Sequence, residues 1–330
     1  MTKGVAPGWP PLVAIVGAPR CGTTSLADYL KRHPAVTFSA PKEPHYFAIH
    51  DLDGLADEQL RETVEQGYLG RFFPDDWRSA EWLAEGSVSY LYAPEKMRAL
   101  LRLWPDAHFV IGVRDPMKLV PSLHQRYLVT GDEDVLDFAE AWRLVPERAQ
   151  GRHIPRSCLD PRLLRYDVAG RLGDAVERFF AEVGRDRCHV VVHDDLVSDP
   201  PRVYAELLAF LGLPHDGRTD FRPQRAAAGT RWPWLQRLLK RPPVATSVLA
   251  GAKFRTRVAA QPRKATPAPL RAVMRLRKRL LKWNQVPAPQ IKLTAQIQQE
   301  VREAFAEDVV KLGHLLGRDL SHWLRISAAT

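Results

Sequence analysis

A short loop near the start of the chain carries the residues that most plainly suggest chemistry. The stretch "GAPRCGTTS" (17–25) follows an apolar run and precedes a helical pattern. A strand, a tight loop and a helix in this order direct backbone N–H groups and a helix N-terminus toward an anion. Gly17 and Gly22 have the spacing of the nucleotide-binding P-loop, but Thr23 stands at its lysine position and the loop cation is Arg20. The loop therefore predicts an anion site and leaves open which anion it binds.

A second candidate anion site follows a later apolar run. The stretch "HFVIGV" (108–113) predicts a buried strand, and "RDPMKLVPSLHQRYL" continues from it into a helical pattern. Arg114 stands directly after the strand, and Ser122 lies about two turns into the helix. An arginine fork and a hydroxyl group can together hold a phosphate. The chain thus offers two anion sites, each after a strand.

The elements that must position these sites alternate along the chain. Strands are predicted at 12–16, 108–113 and 189–193, and helices at 24–32, 94–103, 116–128, 168–183 and 201–213. Strands that alternate with helices indicate βαβ units and a parallel sheet, whose strand ends and ligand sites share one edge. We therefore expect an α/β, P-loop-type three-layer fold, with a central parallel β-sheet flanked by helices and a C-terminal cap of helices and loops.

The C-terminal third has a different composition. Residues 222–292 are rich in proline and arginine, with a basic amphipathic helix predicted at 269–283 and a final helix at 294–312. We expect this region to cap the sheet rather than to form a separate domain. The predicted organisation is a single domain, with an α/β core at 12–214 and a basic ligand-binding cap at 215–330.

Charge is unevenly distributed along the chain. The 330 residues have a formal net charge of +10, but residues 221–299 hold 18 Lys and Arg and no Asp or Glu. The remainder therefore has 30 basic and 38 acidic residues. Such a segment suits a polyanion, a peripheral contact with an anionic membrane or a multiply phosphorylated ligand, and a solvated basic face is the simpler interpretation. We expect no specific nucleic-acid partner.

Other features of the composition narrow the class of protein. Three widely separated cysteines form neither a disulfide framework nor a metal-ligand pattern. No apolar run approaches the ~18–20 residues of a membrane helix, and the first residues lack a secretory signal pattern. We therefore expect a cytoplasmic protein without a bound metal. The sequence does not predict an oligomeric state.

The two anion motifs together resemble the cofactor motifs of sulfotransferases, enzymes that use 3′-phosphoadenosine 5′-phosphosulfate (PAPS). Other landmarks follow in the order of the bacterial and heparan-sulfate-like branch: "PKEPHYF" (41–47), "EGSVSYLYAP" (85–94), "VVVHDDLVSDPPRVYAELLAFLGLP" (190–214) and "LLGRDLSHWL" (315–324). The resemblance covers roughly residues 12–214 and 294–324. It implies transfer of a sulfuryl group from PAPS to a hydroxyl group or an amine, with 3′-phosphoadenosine 5′-phosphate (PAP) as the product and no metal requirement.

The resemblance also implies roles for the residues of both motifs. Those expected to bind the phosphosulfate group are Arg20, Cys21, Gly22, Thr23, Thr24 and Ser25, with Cys21 contributing its backbone N–H. Arg114 and Ser122 are expected to bind the 3′-phosphate. Arg225 and Arg231 correspond to a basic loop that folds over the adenine and the 3′-phosphate in the family.

Two departures from the family pattern bear on the mechanism. Arg20 stands where the family usually has lysine, so it can stabilise charge on the leaving group but is too basic to donate a proton readily. Gly86 stands where some heparan-type enzymes have lysine, which argues against a heparan-like acceptor.

Glu43 is the candidate general base, because it matches the catalytic glutamate of the heparan-like branch in the "KEPHYF" context. An enclosed site would raise the pKa of this carboxyl toward neutrality, which suits a general base. The simpler interpretation is a loop carboxylate that pairs with Lys42. His45 is the rival base, and a histidine packed beside Tyr46 and Phe47 is its simpler interpretation.

Two other functions compete with sulfuryl transfer. A P-loop kinase or NTPase would place Asp194 or Asp195 on Mg²⁺, but the lysine that reaches the β- and γ-phosphates is absent. A non-enzymatic binder of nucleotides or anionic polymers would use the basic segment. For a sulfotransferase, the acceptor is left open among saccharides, lipids and small natural products, and the acid-free residues 221–299 favour an anionic one.

Overall fold

The computed structural model describes residues 8–158, 160–222, 228–240, 268–287, 291 and 293–325. In these ranges the strands are β1 (Leu12–Gly17), β2 (Val36–Phe38), β3 (Trp82–Glu85), β4 (His108–Val113), β5 (Cys188–Val192), β6 (Ala228–Thr230) and β7 (Gln285–Pro287). The α-helices are α1 (Thr23–Arg32), α2 (Tyr46–Ile49), α3 (Asp57–Val64), α4 (Gly70–Phe72), α5 (Met97–Leu103), α6 (Pro116–Thr130), α7 (Phe138–Arg143), α8 (Val145–Ala149), α9 (Tyr166–Ala169), α10 (Leu172–Val183), α11 (His193–Ser198), α12 (Pro200–Leu211), α13 (Pro233–Lys240), α14 (Ala268–Trp283) and α15 (Ala295–Leu316). Among the described helices, none combines the length and apolarity needed to cross a membrane.

Five strands form a parallel sheet in the order β2-β3-β1-β4-β5. Ala14 of β1 is in register with Glu85 of β3 on one side and with Phe109 of β4 on the other. The chain leaves β1 toward β2 and β3 and later crosses to β4 and β5, so its direction reverses between β1 and β4. In such sheets the ligand crevice opens at the carboxyl ends of the strands at this reversal. The predicted α/β fold with a central parallel sheet is confirmed.

Helices cover both faces of the sheet. On one face, Val13 packs in a buried cluster with Leu26 of α1 and Leu207 of α12. On the other face, Phe109 contacts Phe179 of α10, with 5.3 Å between ring centroids. Burial of each such side chain stabilises the fold by about 1.5–3 kcal/mol. These layers fix the carboxyl ends of β1 and β4, which precede the two anion motifs.

The described residues form two compact units. Unit 1 comprises the described residues of Met1–Asp115, Leu172–Gln224 and Glu307–Arg325, and it contains the five-stranded sheet. Unit 2 comprises the described residues of Pro116–Arg171 and Arg225–Ala306, and it contains the antiparallel pair β6 and β7. The single-domain organisation expected from the sequence stays a prediction.

The helix predicted at 168–183 is two helices, α9 and α10, so this expectation is wrong. A Cβ atom on Gly170 would lie 2.4 Å from Phe305 Cζ, because the ring packs directly on the backbone there. Asp308 accepts the N–H groups of Gly173 and Asp174 at 2.8 Å each and thereby caps the start of α10. Phe305 and Asp308 come from α15, so local periodicity could not reveal the break.

A buried ion pair holds the loop that follows α6 in unit 2. The Glu133 carboxylate accepts hydrogen bonds from Arg148 Nη1 and Nη2 at 2.7 and 2.8 Å, and both side chains are fully buried. Tyr166 Oη donates to the same carboxylate at 2.8 Å. The backbone N–H groups of Asp134 and Val135 donate to it as well. The carboxylate is thus satisfied entirely by protein groups.

Candidate active site

The loop after β1 is held closely against β4. Ala18 N–H donates to Gly112 O at 2.8 Å, and a Cβ atom on Gly112 would lie 2.5 Å from Cys21 O. Gly22 has a left-handed φ of 86°, and a Cβ atom there would lie 2.3 Å from Leu196 Cδ2. Both positions therefore require glycine, one for close approach of the backbone and one also for its dihedral angle.

Helix α1 points its N-terminus at this loop. Its N-cap residue is Gly22, which offers no capping side chain, and its first turn contains no acidic residue. Thr23 and Thr24 are the first two helical residues, and Ser25 N–H donates to Gly22 O at 2.9 Å. A helix N-terminus in this state carries partial positive charge and favours a bound anion.

One arginine lies within the loop and a second lies beside it. Arg114 follows β4, and its Nη1 donates to Arg20 O at 3.0 Å. Its buried Nε has no hydrogen-bond partner among the described residues. Because a buried donor without an acceptor costs free energy, an anionic ligand at this position would be stabilised by it. Arg20 adopts a left-handed φ of 69°, a conformation that is strained in non-glycine residues and concentrates at functional sites. The loop therefore fits a phosphate or phosphosulfate group.

The Cys21 thiol is an unreactive group in this loop. It is fully buried, and burial raises its pKa to about 12. The side chain is therefore protonated at neutral pH and is not a thiolate nucleophile. The Cys21 backbone N–H donates to Ala18 O at 3.2 Å, so the expectation that it contributes to ligand binding stays a prediction.

The remaining predicted cofactor residues lie elsewhere. Arg114 belongs to unit 1 and Ser122 to α6 of unit 2, so their joint binding of one phosphate stays a prediction. Arg225 lies outside the described residues. Arg231 belongs to unit 2, where its guanidinium carbon lies 5.8 and 5.6 Å from the ring centroids of Trp232 and Trp283. Its contact with the cofactor also stays a prediction.

The segment that carries Glu43 is anchored to the chain that follows β3. Gly86 N–H donates to Lys42 O at 2.9 Å. His45 N–H donates to Ser87 Oγ at 2.8 Å. Two stretches noted separately in the sequence, "PKEPHYF" and "EGSVSYLYAP", therefore form one structure.

Lys42 joins this structure to the anion loop. Its Nζ lies 3.0 Å from Glu43 Oε1 and 3.3 Å from Thr23 Oγ1. The pairing with Glu43 was foreseeable from adjacency, but the contact with Thr23 was not, because 19 positions and a strand separate the two residues. The candidate base and the anion loop are thus one side chain apart.

Glu43 is strongly acidic in this arrangement. Burial raises the pKa of its carboxyl, but the hydrogen bond from His45 and the charge and hydrogen bond of Lys42 outweigh burial and lower the pKa to about 2. The expectation that an enclosed site raises this pKa toward neutrality is wrong, because the site supplies two cationic or donating neighbours. The carboxylate is ionised at neutral pH and becomes a stronger base when a donor is withdrawn.

The imidazole ring of His45 is placed to orient the Glu43 carboxylate. His45 Nε2 lies 3.4 Å from Glu43 Oε2, and Nδ1 lies 2.8 Å from Ser89 Oγ. A carboxylate only accepts hydrogen bonds, so the nitrogen that faces Glu43 carries a proton, and the other can accept from Ser89. This ring is not simply packed beside Tyr46 and Phe47, as its simpler interpretation held.

A buried carboxyl group supports the segment from below. Glu85 is fully buried, and Ser87 Oγ donates to its Oε2. Burial raises the pKa of Glu85, against the hydrogen bond from Ser87 that lowers it. Because Ser87 also accepts His45 N–H, Glu85 fixes the backbone beside the candidate base. The sequence motif contained Glu85, but nothing in its spacing indicated this link.

The two aspartates that a kinase would use are engaged in structural contacts. Asp195 Oδ1 accepts from Arg318 Nη2 at 2.7 Å, and Asp194 Oδ2 accepts from Trp323 Nε1 at 2.7 Å. These contacts join α11 to the "LLGRDLSHWL" stretch. Together with the missing P-loop lysine, they disfavour the kinase alternative.

The fold and the candidate site together define a class of protein. It is a P-loop-type α/β protein whose anion loop lies next to a carboxylate–lysine pair. Its loop cations are arginines, and it has no lysine of the nucleotide-triphosphate type.

Comparison with known proteins narrows this class. The profile described as "Sulfotransferase family" matches residues 59–217. Carbohydrate sulfotransferase 15 of Homo sapiens is 53% identical over 64 residues, which is 18% of this chain and 11% of that protein. Bifunctional heparan sulfate N-deacetylase/N-sulfotransferase 4 of Mus musculus is 24% identical over 220 residues, 65% of this chain and 24% of that protein. The crystal structure of a sulfotransferase from Alicyclobacillus acidocaldarius has a TM-score of 0.58 at 23% identity, over 96% of this chain and 99% of that one.

This chain is similar to members of the sulfotransferase family, whose profile matches just under half of it, at residues 59–217. The matches span only 11% and 24% of the length of the two curated relatives. The profile match includes Arg114 and Ser122 but begins after the anion loop and Glu43. The assignment of roles to the anion loop and Glu43 therefore rests on the geometry of the structure and not on the profile match.

Proposed function

We propose that this protein transfers the sulfuryl group of PAPS to a hydroxyl group or an amine of an acceptor. The observation that carries the proposal is the bridge formed by Lys42 Nζ between Thr23 Oγ1 of the anion loop and Glu43 Oε1. In-line group transfer needs a base for the acceptor proton beside a cationic anion site. A protein that only binds a nucleotide needs no carboxylate at this position.

Different residues of unit 1 bind the donor, accept the proton and stabilise the leaving group in the proposed reaction. PAPS supplies a sulfuryl group already activated by its bond to phosphate. The N–H groups of the loop and the guanidinium groups of Arg20 and Arg114 bind oxygens of the donor. Glu43 accepts the proton of the acceptor nucleophile. Arg20 stabilises the negative charge that develops on the leaving phosphate and keeps its own proton.

Calorimetry with the purified full chain tests the donor. We expect PAP to bind tightly without metal, and adenosine 5′-phosphate, which lacks the 3′-phosphate, to bind much more weakly. Arg114→Ala should weaken PAP by ~10–100-fold, the range of a charge-assisted hydrogen bond, and adenosine 5′-phosphate far less. Arg61→Ala, an exposed substitution on α3, is the matched control.

Two outcomes would count against this assignment. A preference for ATP–Mg²⁺ over PAP would mean that the loop binds a triphosphate, and the proposed function would be wrong. Equal losses of PAP and adenosine 5′-phosphate in Arg114→Ala would remove the 3′-phosphate assignment of Arg114 alone.

We also place the reaction in the cytoplasm, where the donor is a soluble nucleotide. The three cysteines are free, which is typical of a reducing compartment. Alkylation under denaturing conditions, applied as the cells are lysed, should find all three thiols reduced, and a disulfide at any of them would contradict this location. The acceptor class stays open among saccharides, lipids and small natural products.

Helices α13 and α14 of unit 2 support a contact with an anionic membrane. We call the exposed side chains of these helices, together with Trp232 directly before α13, the basic–aromatic surface: Trp232, Trp234, Leu238, Arg275, Leu276, Lys278, Arg279, Lys282 and Trp283. Its three tryptophans are the only exposed ones of the nine in the chain, all of which are described. On α14, the four cations share one exposed face with Leu276 and Trp283.

This pairing of cations with large apolar groups favours a lipid surface over a soluble polyanion. Lys and Arg near an anionic bilayer contribute about 1 kcal/mol each, and tryptophan and leucine can enter the interface. Leu276 is 58% exposed, which costs free energy in water and gains nothing from a sulfated or phosphorylated polymer. The acid-free composition of 221–299 adds no opposing charge.

Vesicle flotation tests this surface. The full chain should float with vesicles that contain phosphatidylglycerol and not with phosphatidylcholine alone. The variant Lys278→Glu/Lys282→Glu should lose at least ~10-fold in affinity, and Leu276→Ser should also weaken binding. Lys31→Glu/Arg61→Glu is the control with the same change in net charge. Soluble heparin provides the opposing test. If the chain binds heparin as tightly as vesicles, and if Leu276→Ser leaves that affinity unchanged, the surface is a polyanion site and the membrane contact is contradicted.

A further inference from the structure

We propose that Lys42 is a catalytic cation of this site, which contacts the transferring sulfuryl group and supplies the ammonium charge that the anion loop lacks. The inference rests on the proposed function, because it names a further residue of the same reaction. It extends the predicted role of Lys42, which was only to pair with Glu43.

The position of Lys42 Nζ carries the inference. It lies 3.3 Å from Thr23 Oγ1, at the first residue of α1, and 3.0 Å from the candidate base Glu43. A group held by the loop and attacked by a nucleophile that Glu43 activates must lie next to this ammonium. Two of its three N–H groups are used in these contacts, one with the Thr23 hydroxyl group and one with the Glu43 carboxylate.

The path of the side chain is fixed by Gly86. A Cβ atom on Gly86 would lie 2.9 Å from Lys42 Cε and 3.3 Å from Lys42 Cγ, so the methylene chain runs directly over the glycine. The backbone of Lys42 is anchored there by Gly86 N–H. The side chain is only 26% exposed. The methylene chain is therefore held in place, and the ammonium at its end needs only a local rotation to face charge that develops beside the loop.

Lysine and arginine differ in what they can do at this place. Arg20 carries a rigid planar fork, whereas the lysine ammonium is compact and can move between oxygen partners by rotation of its side chain. In the reaction, the S–O bond to phosphate breaks and its electron pair stays on the phosphate oxygen. A bond from sulfur to the acceptor atom forms, and the acceptor proton goes to Glu43. Lys42 keeps its proton and stabilises the negative charge on the transferring group and leaving oxygen.

Rotation of the Lys42 side chain toward the donor would couple donor binding to the strength of Glu43 as a base. The Lys42 ammonium is one of the two groups that lower the pKa of Glu43. When Lys42 turns toward the donor, Glu43 loses that neighbour and its affinity for a proton rises. The base therefore becomes effective only when the donor is present.

The test compares Lys42→Met, Lys42→Arg and the control Lys31→Met on the exposed last turn of α1. Calorimetry measures PAP affinity, and PAP release measures turnover of PAPS with the fastest acceptor among a phenol, a disaccharide and a long-chain alcohol. We expect Lys42→Met to lower kcat by ~10²-fold, the usual cost of one transition-state donor, with PAP affinity within about threefold of wild type. Lys42→Arg should recover part of the rate.

The pH profile adds a readout that a merely structural role would not move. With Lys42 absent, the pKa of Glu43 should rise, so the acid limb of kcat/KM should shift to higher pH in Lys42→Met and not in Lys31→Met. A kcat for Lys42→Met within threefold of wild type, an unshifted acid limb, or a large loss of PAP affinity would each overturn the inference. Failure of the wild-type chain to bind PAP or to release it from PAPS would instead overturn the proposed function.

Discussion

Replacement of Glu43 by glutamine is expected to lower turnover by ~10²–10⁴-fold, the contribution of a general base, and to leave PAP affinity nearly unchanged. Glutamine keeps the shape and one acceptor oxygen of the side chain but cannot take a proton from the acceptor. The anion loop and Arg114 do not depend on the Glu43 charge for their geometry. Calorimetry with PAP and the PAP-release assay measure the two quantities separately.

A matched control removes a carboxylate of the same unit outside the site. Asp51→Asn breaks only an exposed pair with Lys96, and it should leave both quantities unchanged. Turnover of Glu43→Gln within threefold of wild type would clear Glu43 as the base. His45 would then be the next candidate, since its Nε2 lies 3.4 Å from Glu43 Oε2.

Replacement of Glu133 by glutamine is expected to lower the free energy of unfolding by ~3–5 kcal/mol, because it leaves the Arg148 charge buried without its partner. Both side chains of this pair are fully buried, so neither can recover the lost interaction from water. Urea unfolding, followed by circular dichroism, measures the change. Glu147→Gln on α8, which breaks exposed contacts with His153 and Arg152, should cost no more than ~1 kcal/mol.

A double variant separates loss of the charge pair from loss of packing. Glu133→Leu with Arg148→Met removes both charges and should recover most of the stability lost in the single variant. A double variant as unstable as Glu133→Gln would show that the hydrogen bonds to Tyr166 and to the loop backbone, rather than the ion pair, stabilise this region.

The pair also predicts how stability depends on pH. Burial raises the pKa of Glu133, but the hydrogen bonds and charge of Arg148 outweigh it and lower the pKa from the ordinary value of 4.5. A folded-state pKa below the unfolded value means that the stabilisation is fully present above pH 4.5 and is lost as pH falls through the lowered pKa. Glu133→Gln should therefore unfold with a weaker dependence on pH below that value.

Much of the architecture could be predicted from local patterns. The buried strands at 12–16 and 108–113 and the basic helix at 269–283 were placed within one or two residues of β1, β4 and α14. A fully apolar run of five or six residues suits a strand covered on both faces, and glycine and proline mark its ends. The interruption between α9 and α10 could not be predicted, since Phe305 and Asp308 cause it from a distant helix.

The sequence by itself determined the anion loop. The types and order of Gly17, Arg20, Gly22 and Thr23 suffice, because a loop that exposes backbone N–H groups is specified by residues next to one another. Adjacency likewise brings Glu43 and Lys42 together. These local relations hold wherever the chain places the loop.

Only the tertiary structure decided how these parts act on one another. Parallel pairing of β1 with β3 brings the segment after β3 beside the loop, so that Gly86 leaves room for Lys42 to reach Thr23. Lys42 and His45 are close to Glu43 in the sequence, but only the folded segment orients both toward its carboxylate and so reverses the direction of pKa shift expected from burial alone. Electrostatic interactions depend on distance in space, and residues 19 or more positions apart have no fixed distance until the sheet forms.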